Sequence, residues 1–419
     1  MSLFSQLFGG GNATQTLLAL DIGTEVVKAL VFNVDKKQST GTITGVGKVR
    51  QKQGNMQNGA VSDISGVIET AKEAIAKAKE QAQVKKVKKA ILGIAGEYVK
   101  GTTTTVHYQR VRSEKPIEVS ELKNIIRKVQ EKAYERIVKQ LEYEMGHRID
   151  IRLINAAIVD VRIDGYRITN PIGFKGRDVS IGVFNAYAPM IHLGALESIA
   201  QELGIDLLNI AAEPYAVSMS VGFDDVLDFS AIFIDIGGGT TDIAVVRNGG
   251  LEGTKMFALG GRAFTKKIAQ EFSLRFEEAE KIKIDYALQR LEQNATVQIE
   301  RALGDDCRVW LSGVELSLGE FSDTSLLPST VYLCGGGSGL PGIKNALEQT
   351  DWFRELPFAK QPEIRFLQPR DVSRIKDNSN ILTTPQDVTP MGLAALAIDL
   401  ANEEKVVANL LRKAMRTVQ

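Results

Sequence analysis

Two stretches of this chain place an aspartate, glycines and threonines between two apolar runs. Residues 17–32 read LLALDIGTEVVKALVF, and residues 231–246 read AIFIDIGGGTTDIAVV. Each predicts a strand, an Asp-Ile-Gly turn that carries threonine, and a returning strand. Because the chain uses the same device twice, the sequence indicates two related lobes.

The chemistry of these turns suits a polyphosphate bound through a metal ion. Glycine lets backbone N–H groups approach a phosphate without obstruction by a Cβ, and threonine hydroxyls add donors. The carboxylates of Asp21 and Asp235 would repel a phosphate directly. We therefore expect them to hold the water shell of a divalent cation, Mg²⁺, between themselves and the phosphates. One such turn alone would be an ordinary hairpin, whereas two that face each other would clamp a polyphosphate.

A third glycine-rich segment favours a nucleotide. Residues 329–347 read STVYLCGGGSGLPGIKNAL, which predicts a strand, a glycine run and a helix that begins near Pro341. Bare backbone in the glycine run would let a flat adenine lie against the chain. The segment GSGLPG also fits the dinucleotide pattern GxGxxG, but it comes late in the chain and lacks a clear βαβ unit.

Alternating strands and helices surround these segments, and one block interrupts the alternation. Before the block we predict strands at about 17–21, 26–34 and 42–50, a helix over about 63–81 and a strand over 88–95. The block, about 94–187, combines a Thr-rich strand, a long helix from Ser120 and a hairpin at Asp164-Gly165. The pattern predicts an α/β fold with an inserted α+β module.

The alternation resumes after the block. The predicted elements are a helix over 190–203, a strand over 207–212, a helix over 213–222, helices near 261–272, 276–301 and 305–320, and a last helix from about Thr389 to the C-terminus.

Composition excludes several functional classes. The chain has 51 Lys+Arg and 51 Asp+Glu, and zero net charge argues against a nucleic-acid-binding protein. Cys307 and Cys334 lie far apart, which indicates a reducing compartment and gives no disulfide framework or zinc site.

No stretch approaches the roughly 18 apolar residues of a transmembrane helix, and the N-terminus lacks the features of a signal peptide. We expect a cytoplasmic protein. The scattered histidines His107, His147 and His192 suggest no catalytic role.

The three segments, in this order, resemble the actin/DnaK/sugar-kinase ATPase superfamily. The resemblance implies a two-lobed actin-like (ribonuclease-H-like) fold with ATP and Mg²⁺ between the lobes. It assigns the first phosphate loop to Asp21, Gly23, Thr24 and Lys28, the second to Asp235, Gly237, Gly238, Gly239, Thr240 and Thr241, and the adenosine motif to Gly335, Gly336, Gly337 and Ser338.

Two further segments fit the same resemblance. In EAEKIK, Glu280 and Lys283 are expected to contact ribose and adenine. In AAEPYAVSMS, Glu213 is expected to orient the attacking water. Glu213 also has a simpler interpretation, as a carboxylate favoured at a helix start by the helix dipole.

Within the superfamily, nearly the whole chain resembles the FtsA family of bacterial cell division. Segments that carry this resemblance include KKAILGIAGEYVKGTTTT and DGYRITNPIGFKGRDVSIGVFNAYAP. The resemblance implies the following division: a tail over 1–14, a first lobe over 15–93 and 188–213, an inserted SHS2-type subdomain over 94–187, a second lobe over 214–388 with its upper subdomain at about 265–328, and a C-terminal helix over 389–419.

The functional implication is an ATP-binding cytoskeletal protein that self-associates at the inner face of the cell membrane. It would recruit the tubulin-like protein FtsZ. ATP hydrolysis would be slow and secondary to assembly, and the sequence leaves open whether the chain is an enzyme.

Two departures from the family pattern leave alternatives open. The stretch 284–328 does not align with the family, and no linker precedes the terminal helix. Basic and apolar residues over 405–419 fit either an anionic membrane surface or a helix docked on the first lobe, and the apolar tail 1–14 is a second candidate membrane anchor.

A PilM-type adaptor of pilus assembly is the main alternative function. A small-molecule kinase would need a catalytic aspartate in the first lobe and a sugar pocket, for which we find no motif.

Overall fold

A computed structural model describes residues 15–96, 98–221, 229–321 and 326–401 of the chain. The predicted anchor segments, 1–14 and 405–419, lie outside these residues. No helix in the described ranges combines the length and the apolar character that crossing a bilayer requires.

The first lobe contains a mixed sheet that begins with an antiparallel meander. Its early elements are β1 (Gln15–Ile22), β2 (Val26–Asp35), β3 (Thr40–Arg50), the short strands β4 (Met56–Gln57) and β5 (Ala60–Val61), α1 (Ile64–Gln81) and β6 (Lys89–Ile94). Strands β1, β2 and β3 are antiparallel neighbours, and β6 lies parallel to β1. The predicted helix start is confirmed, since the Asp63 side chain caps α1 by accepting from the Gly66 N–H.

The interrupting block is an α+β module. It consists of β7 (Lys100–Gln109), α2 (Val119–Met145), β8 (Ile151–Ile163), β9 (Tyr166–Arg167) and β10 (Asp178–Pro189), and we call these elements the inserted module. The predicted hairpin is confirmed, because Asp164 and Gly165 both have positive φ and connect β8 to β9. Helix α2 packs Leu122, Ile126 and Val129 onto the sheet.

The chain then returns to the first lobe and enters the second. The elements are α3 (Met190–Glu202), β11 (Asp206–Ala212), α4 (Glu213–Ser220), β12 (Ala231–Ile236), β13 (Thr241–Arg247), β14 (Gly250–Phe257), α5 (Gly261–Glu271), α6 (Phe276–Ala287), α7 (Gln293–Gly319), β15 (Thr330–Cys334), α8 (Pro341–Gln349), β16 (Glu363–Phe366), β17 (Ile375–Asp377) and α9 (Val388–Ala401).

The two lobes repeat one strand arrangement. In the first lobe the order β11-β6-β1-β2-β3 joins two parallel neighbours to a meander, and in the second lobe β16-β15-β12-β13-β14 does the same. The predicted internal repeat is therefore confirmed at the level of topology. Helix α9 is almost entirely buried and packs against β1, β2 and α4, so the chain closes back on the first lobe.

One predicted helix boundary is wrong. The sequence suggested helices over 276–301 and 305–320, whereas α6 ends at Ala287 and α7 runs without a break from Gln293. The chain turns at Gln289, whose φ of 54° is left-handed and ends the helical path. Gly304 does not interrupt α7, because buried Leu303 and Trp310 continue the apolar face past it.

The inserted module contacts both lobes. Among the described strands, β14 of the second lobe pairs with β7, through Gly253 with Thr102 and Thr254 with Gly101, so one sheet runs from the second lobe into the module. On its other side the module contributes Phe184 to the core of the first lobe. Nothing in the sequence pattern indicated this continuous sheet.

Candidate functional site

The two Asp-Ile-Gly turns meet in one cleft between the lobes. The cleft encloses about 680 Å³, including the solvent at its mouth. Its polar side chains and glycines come from widely separated parts of the chain: Asp21, Gly23, Thr24, Glu25, Lys28, Gly59, Glu213, Asp235, Gly237, Gly238, Thr240, Asp242, Gly335, Gly336, Gln386 and Thr389. The structure thus brings together most residues of the three glycine-rich segments, as the sequence analysis expected.

The first turn holds an ion pair. The register of β1 and β2 places Asp21 opposite Lys28, and the Lys28 Nζ donates to Asp21 Oδ2 at 2.9 Å. Burial by itself lowers the pKa of Lys28, but the charge and hydrogen bond of Asp21, with the more distant Asp235, raise the pKa overall. Lys28 is therefore a fixed positive charge in the cleft.

The second turn places two carboxylates side by side. Asp235 and Asp242 are directly opposite in the register of β12 and β13. The Thr240 hydroxyl donates to Asp242 Oδ2 at 3.1 Å, and the Thr389 hydroxyl donates to Asp235. Burial, and secondarily the charge of Asp235, raise the pKa of Asp242 to about 8. Burial also raises the pKa of Asp235, against the opposing effects of Thr389 and Lys28.

Glu213 completes an acidic cluster. It begins α4, directly after β11, and its side chain lines the cleft. Burial raises the pKa of Glu213 well above its ordinary value, and the charges of Asp21, Asp242 and Asp235 add to the effect. Five carboxyl groups thus line the cleft with one lysine, Lys28: those of Asp21, Glu25, Glu213, Asp235 and Asp242. Such a cluster favours a bound cation, because a cation stabilises the ionised carboxylates that burial disfavours.

The donor set indicates how a cation would be held. Within the described ranges, no three His, Cys, Asp or Glu side chains are arranged for direct ligation of a metal. Separated carboxylates around a cleft suit a hard cation that keeps its water shell, as Mg²⁺ does. The residues therefore fit the expected water-mediated role of Asp21 and Asp235.

The third glycine-rich segment approaches Asp235 closely. Gly335 has a φ of 83°, and a Cβ there would overlap the Asp235 carboxylate. Gly335 and Gly336 line the cleft, whereas Gly337 lies behind them against Ile236. Ser338 is buried and donates to the Gly335 carbonyl at 2.7 Å, so it fixes the turn.

Six expected site residues lie outside the lining: Gly239, Thr241, Glu280, Lys283, Gly337 and Ser338. Thr241 is fully buried, and its hydroxyl donates to the Leu259 carbonyl at 2.7 Å and accepts from Trp310 Nε1 at 2.9 Å. This position gives Thr241 no access to a phosphate, contrary to the expectation for it. Gly239 packs against Thr24 of the first turn.

Glu280 and Lys283 form a buried pair behind the second turn. Lys283 Nζ lies 2.7 Å from Glu280 Oε2 and donates to the Gly261 carbonyl at 3.0 Å. The Gly261 N–H in turn donates to the Gly237 carbonyl at 2.9 Å. Glu280 and Lys283 therefore support the second turn through α5, rather than facing the cleft directly.

An arginine ties the two turns together. Arg262 of α5 pairs with Glu25 of the first turn and donates to the carbonyls of Thr24 at 3.0 Å and Met56 at 2.8 Å. Its own N–H donates to the Gly238 carbonyl at 2.7 Å. One residue thus connects the second lobe to the first directly beside the cleft.

Residues at or beside the cleft that were not predicted from the sequence include Asp242, Arg262, Gln386 and Thr389. The position of Asp242 near the site could have been predicted, because the tight hairpin places Asp242 opposite Asp235. Gln386 and Thr389 carried no such signal, because only the tertiary structure brings the start of α9 and the residues before it to the cleft.

Comparisons with known proteins agree with the resemblance seen in the sequence. A family model described as "Cell division protein FtsA" matches residues 232–390. FtsA of Neisseria meningitidis is 24% identical over 401 residues, covering 91% of this chain and 90% of that protein. FtsA of Streptococcus pneumoniae is 25% identical, covering 77% of this chain and 71% of that protein. The resemblance to the FtsA family is confirmed.

A solved structure supports the fold. The PilM–PilN type IV pilus biogenesis complex contains a chain that matches with a TM-score of 0.64 and 18% identity, covering 93% of this chain and 99% of that one. The two-lobed actin-like fold with an inserted module is therefore confirmed. The FtsA family model spans the second turn, Glu280, Lys283, the Gly335 segment and Thr389, while the first turn and Glu213 lie outside it. The matched residues also include 284–328, so the expectation that this stretch departs from the family is wrong.

Gly335→Ala should destabilise the protein and disturb the cleft. The added Cβ meets Asp235 and forces a left-handed residue, which costs about 1–2 kcal/mol from conformation alone. Gly336→Ala is the matched control, since its Cβ would enter open space. Thermal and denaturant unfolding measure both variants, and equal stability of the two would contradict the close packing described here.

Asp242 should make the stability of the ligand-free protein fall as pH rises. Its pKa of about 8 lies above the ordinary value, so the folded state keeps a proton that the unfolded state has lost. Stability therefore decreases from about pH 4 to about pH 8. Asp242→Asn imitates the protonated carboxyl, so its melting temperature should depend less on pH and exceed that of the wild type at alkaline pH.

The control for this measurement is Asp305→Asn. Asp305 is an exposed aspartate on α7, and its loss should leave the pH dependence unchanged. Parallel pH profiles for the wild type and Asp242→Asn would show that Asp242 is ionised in the empty cleft.

Proposed function

We propose that this chain is an ATP-binding, actin-like cytoskeletal protein of bacterial cell division. It self-associates at the inner face of the cell membrane and recruits a tubulin homologue of the FtsZ type. The observation that carries the proposal is the cleft in which Asp21 and Asp235, from equivalent turns of two similar lobes, face each other. Similarity to FtsA over most of the chain supports the cellular role.

The nucleotide lies with its phosphates between the two turns. Backbone N–H groups near Gly23, Gly237 and Gly238 approach the phosphates, and Lys28 supplies a positive charge. Gly335 and Gly336 provide bare backbone for the adenosine. Thr241 is left out of this assignment because its hydroxyl is bonded within the second lobe.

Asp21 and Asp235 would hold Mg²⁺ through its bound water, with Asp242 beside them. When bound, the ion neutralises phosphate and carboxylate charge. Asp242 would then be ionised, because a nearby cation opposes the effect of burial on its pKa. The Thr240 and Thr389 hydroxyls orient Asp242 and Asp235 by hydrogen bonds.

Glu213 orients water for a slow hydrolysis that follows assembly. Its position at the first turn of α4 directs its carboxyl group into the cleft. As an ionised acceptor, it would hold the water on the side of the cleft formed by the first lobe. Hydrolysis is not needed for nucleotide binding or for the scaffold role.

Closure of the lobes couples the nucleotide to assembly. Arg262 holds the second lobe to Glu25, Thr24 and Met56 of the first. A nucleotide that contacts both turns favours the same closed arrangement, and closure changes the surfaces that the lobes present to a second copy. The inserted module, of the SHS2 type by resemblance, contributes to these surfaces.

A second candidate is a PilM-type adaptor of pilus assembly. The specific observation in its favour is the TM-score of 0.64 to the chain in the PilM–PilN complex, over 93% of this chain. The sequence similarity to FtsA favours division. Binding to the C-terminal peptide of FtsZ, compared with binding to a short peptide from a pilus inner-membrane protein, separates the two.

Calorimetry should detect ATP binding that depends on Mg²⁺. Asp235→Asn removes one carboxylate from the cation's water shell but keeps the shape of the side chain. We expect its affinity for ATP with Mg²⁺ to fall about tenfold, or about 1.4 kcal/mol, with little change in EDTA. Asp305→Asn should bind as the wild type does, and absence of any adenine-nucleotide binding by the wild type would refute the proposal.

Sedimentation with anionic liposomes and ATP should recover the protein in the pellet. Electron microscopy of the pellet should show filaments on the vesicles. Deletion of residues 1–10 and, separately, of 405–419 identifies the segment that binds lipid, because only loss of the anchor should leave filaments in the supernatant. Monomers in solution under every condition would speak against a membrane scaffold.

A further inference from the structure

A hydrogen bond from the inserted module ends next to Glu213. The side-chain oxygen Oδ1 of Asn155, on β8, accepts from the backbone N–H of Ala212 at 2.8 Å. Asn155 is 4% exposed and Ala212 is fully buried. Ala212 is the last residue of β11 and the N-cap of α4, where no side chain of its own segment forms a cap.

A β-bulge explains why Asn155 faces the first lobe. In the pairing of β8 with β10, Ala186 is opposite Asn155 and Tyr187 is opposite Leu153, so Ile154 is an extra residue. The extra residue shifts the alternation of side chains. Ile154 and Asn155 therefore both contact the first lobe, while Leu153 lies on the face of α2.

A ring contact supports the same helix from the module. Phe184 of β10 stacks on Tyr215 of α4, with ring centroids 5.4 Å apart and an interplanar angle of 1°. Both rings are buried. Tyr215 follows Glu213 by two residues, so the bond from Asn155 and the stack from Phe184 lie on either side of Glu213 in the chain.

We propose that Asn155 and Phe184 are positioning residues that fix Glu213 for water activation. This inference rests on the proposed function, in which Glu213 orients the attacking water. The inserted module thereby contributes to turnover without touching the nucleotide. Its sheet also continues into β14 of the second lobe, so a displacement of the module would reach both sides of the cleft.

The physical reason is the cost of an unpaired amide. A buried N–H without an acceptor costs about 1–3 kcal/mol, so loss of Asn155 should drive the start of α4 to shift toward another acceptor or water. A shift of about 1 Å at a reacting group can reduce a rate by about a hundredfold. We expect the contacts of the two phosphate turns to be kept, because Asn155 does not line the cleft and its hydrogen bond goes to Ala212 rather than to either turn.

The test compares Asn155→Ala with Asn185→Ala. Asn185 is a fully buried asparagine of the same module, on β10, whose Nδ2 donates to the Val183 carbonyl at 3.0 Å. Both variants remove a buried amide, but only Asn155 contacts the start of α4. Phosphate release gives kcat and KM for ATP, and hydrogen–deuterium exchange reports the Ala212 amide without any need for hydrolysis.

We expect Asn155→Ala to lower kcat about tenfold or more, with KM and the Mg²⁺-ATP dissociation constant within about threefold of the wild type. Exchange at Ala212 should be faster in this variant alone. Asn185→Ala should keep the wild-type kcat. Should Asn155→Ala fail to fold, Phe184→Leu serves as the second variant, with the same expected loss of kcat.

Failure of the proposed function and failure of the positioning role give different experimental results. A wild-type protein that neither binds nor hydrolyses ATP overturns the proposed function itself. An active wild type with unchanged kcat in Asn155→Ala, or an equal loss in Asn185→Ala, overturns the positioning role alone. Unchanged exchange at Ala212 in Asn155→Ala overturns it irrespective of hydrolysis.

Discussion

The structure depends on a concentration of acidic side chains in the cleft between the lobes. Asp21, Glu213, Asp235 and Asp242 line the cleft together with Lys28, and burial disfavours the ionised form of Glu213, Asp235 and Asp242. Folding a protein around such a cluster has a free-energy cost, and a bound cation removes much of it. Asp21, Asp235 and Asp242 lie at the ends of strands and Glu213 begins the helix after β11, so their side chains approach one site from both lobes.

The repeated strand arrangement explains how acidic side chains from both lobes reach the same site. Each lobe presents an antiparallel hairpin whose turn carries the aspartate, and each turn is supported from behind by its own sheet. Glycine at the turns permits contact between the lobes that side chains would prevent, as Gly239 and Thr24 show. Arg262 adds a charged link at the same place. The residues that hold the lobes together therefore lie next to the residues that line the cleft.

The inserted module is part of this arrangement rather than an attachment to it. It shares a hydrophobic core with the first lobe and a sheet with the second. Its bulge at Ile154 directs Asn155 toward the segment that carries Glu213. A partner that binds the module would act on a region in mechanical contact with both lobes, which suits a protein whose nucleotide site and assembly surfaces influence each other.

The sequence by itself determined the strands, the two turns and the candidate site, because glycine, aspartate and threonine at a turn have local conformational reasons to be there. Asp21, Asp235 and Gly335 were predicted in this way, and the hairpin at Asp164-Gly165 likewise. The break between α6 and α7 was misplaced, since the apolar face of α7 continues past Gly304 and depends on packing against the second lobe. Only the tertiary structure decided that Thr241 is turned toward Trp310, that Thr389 reaches Asp235, and that Asn155 holds Ala212. These contacts join residues far apart in the chain, and their formation depends on how sheets and helices pack, which local sequence preference does not encode.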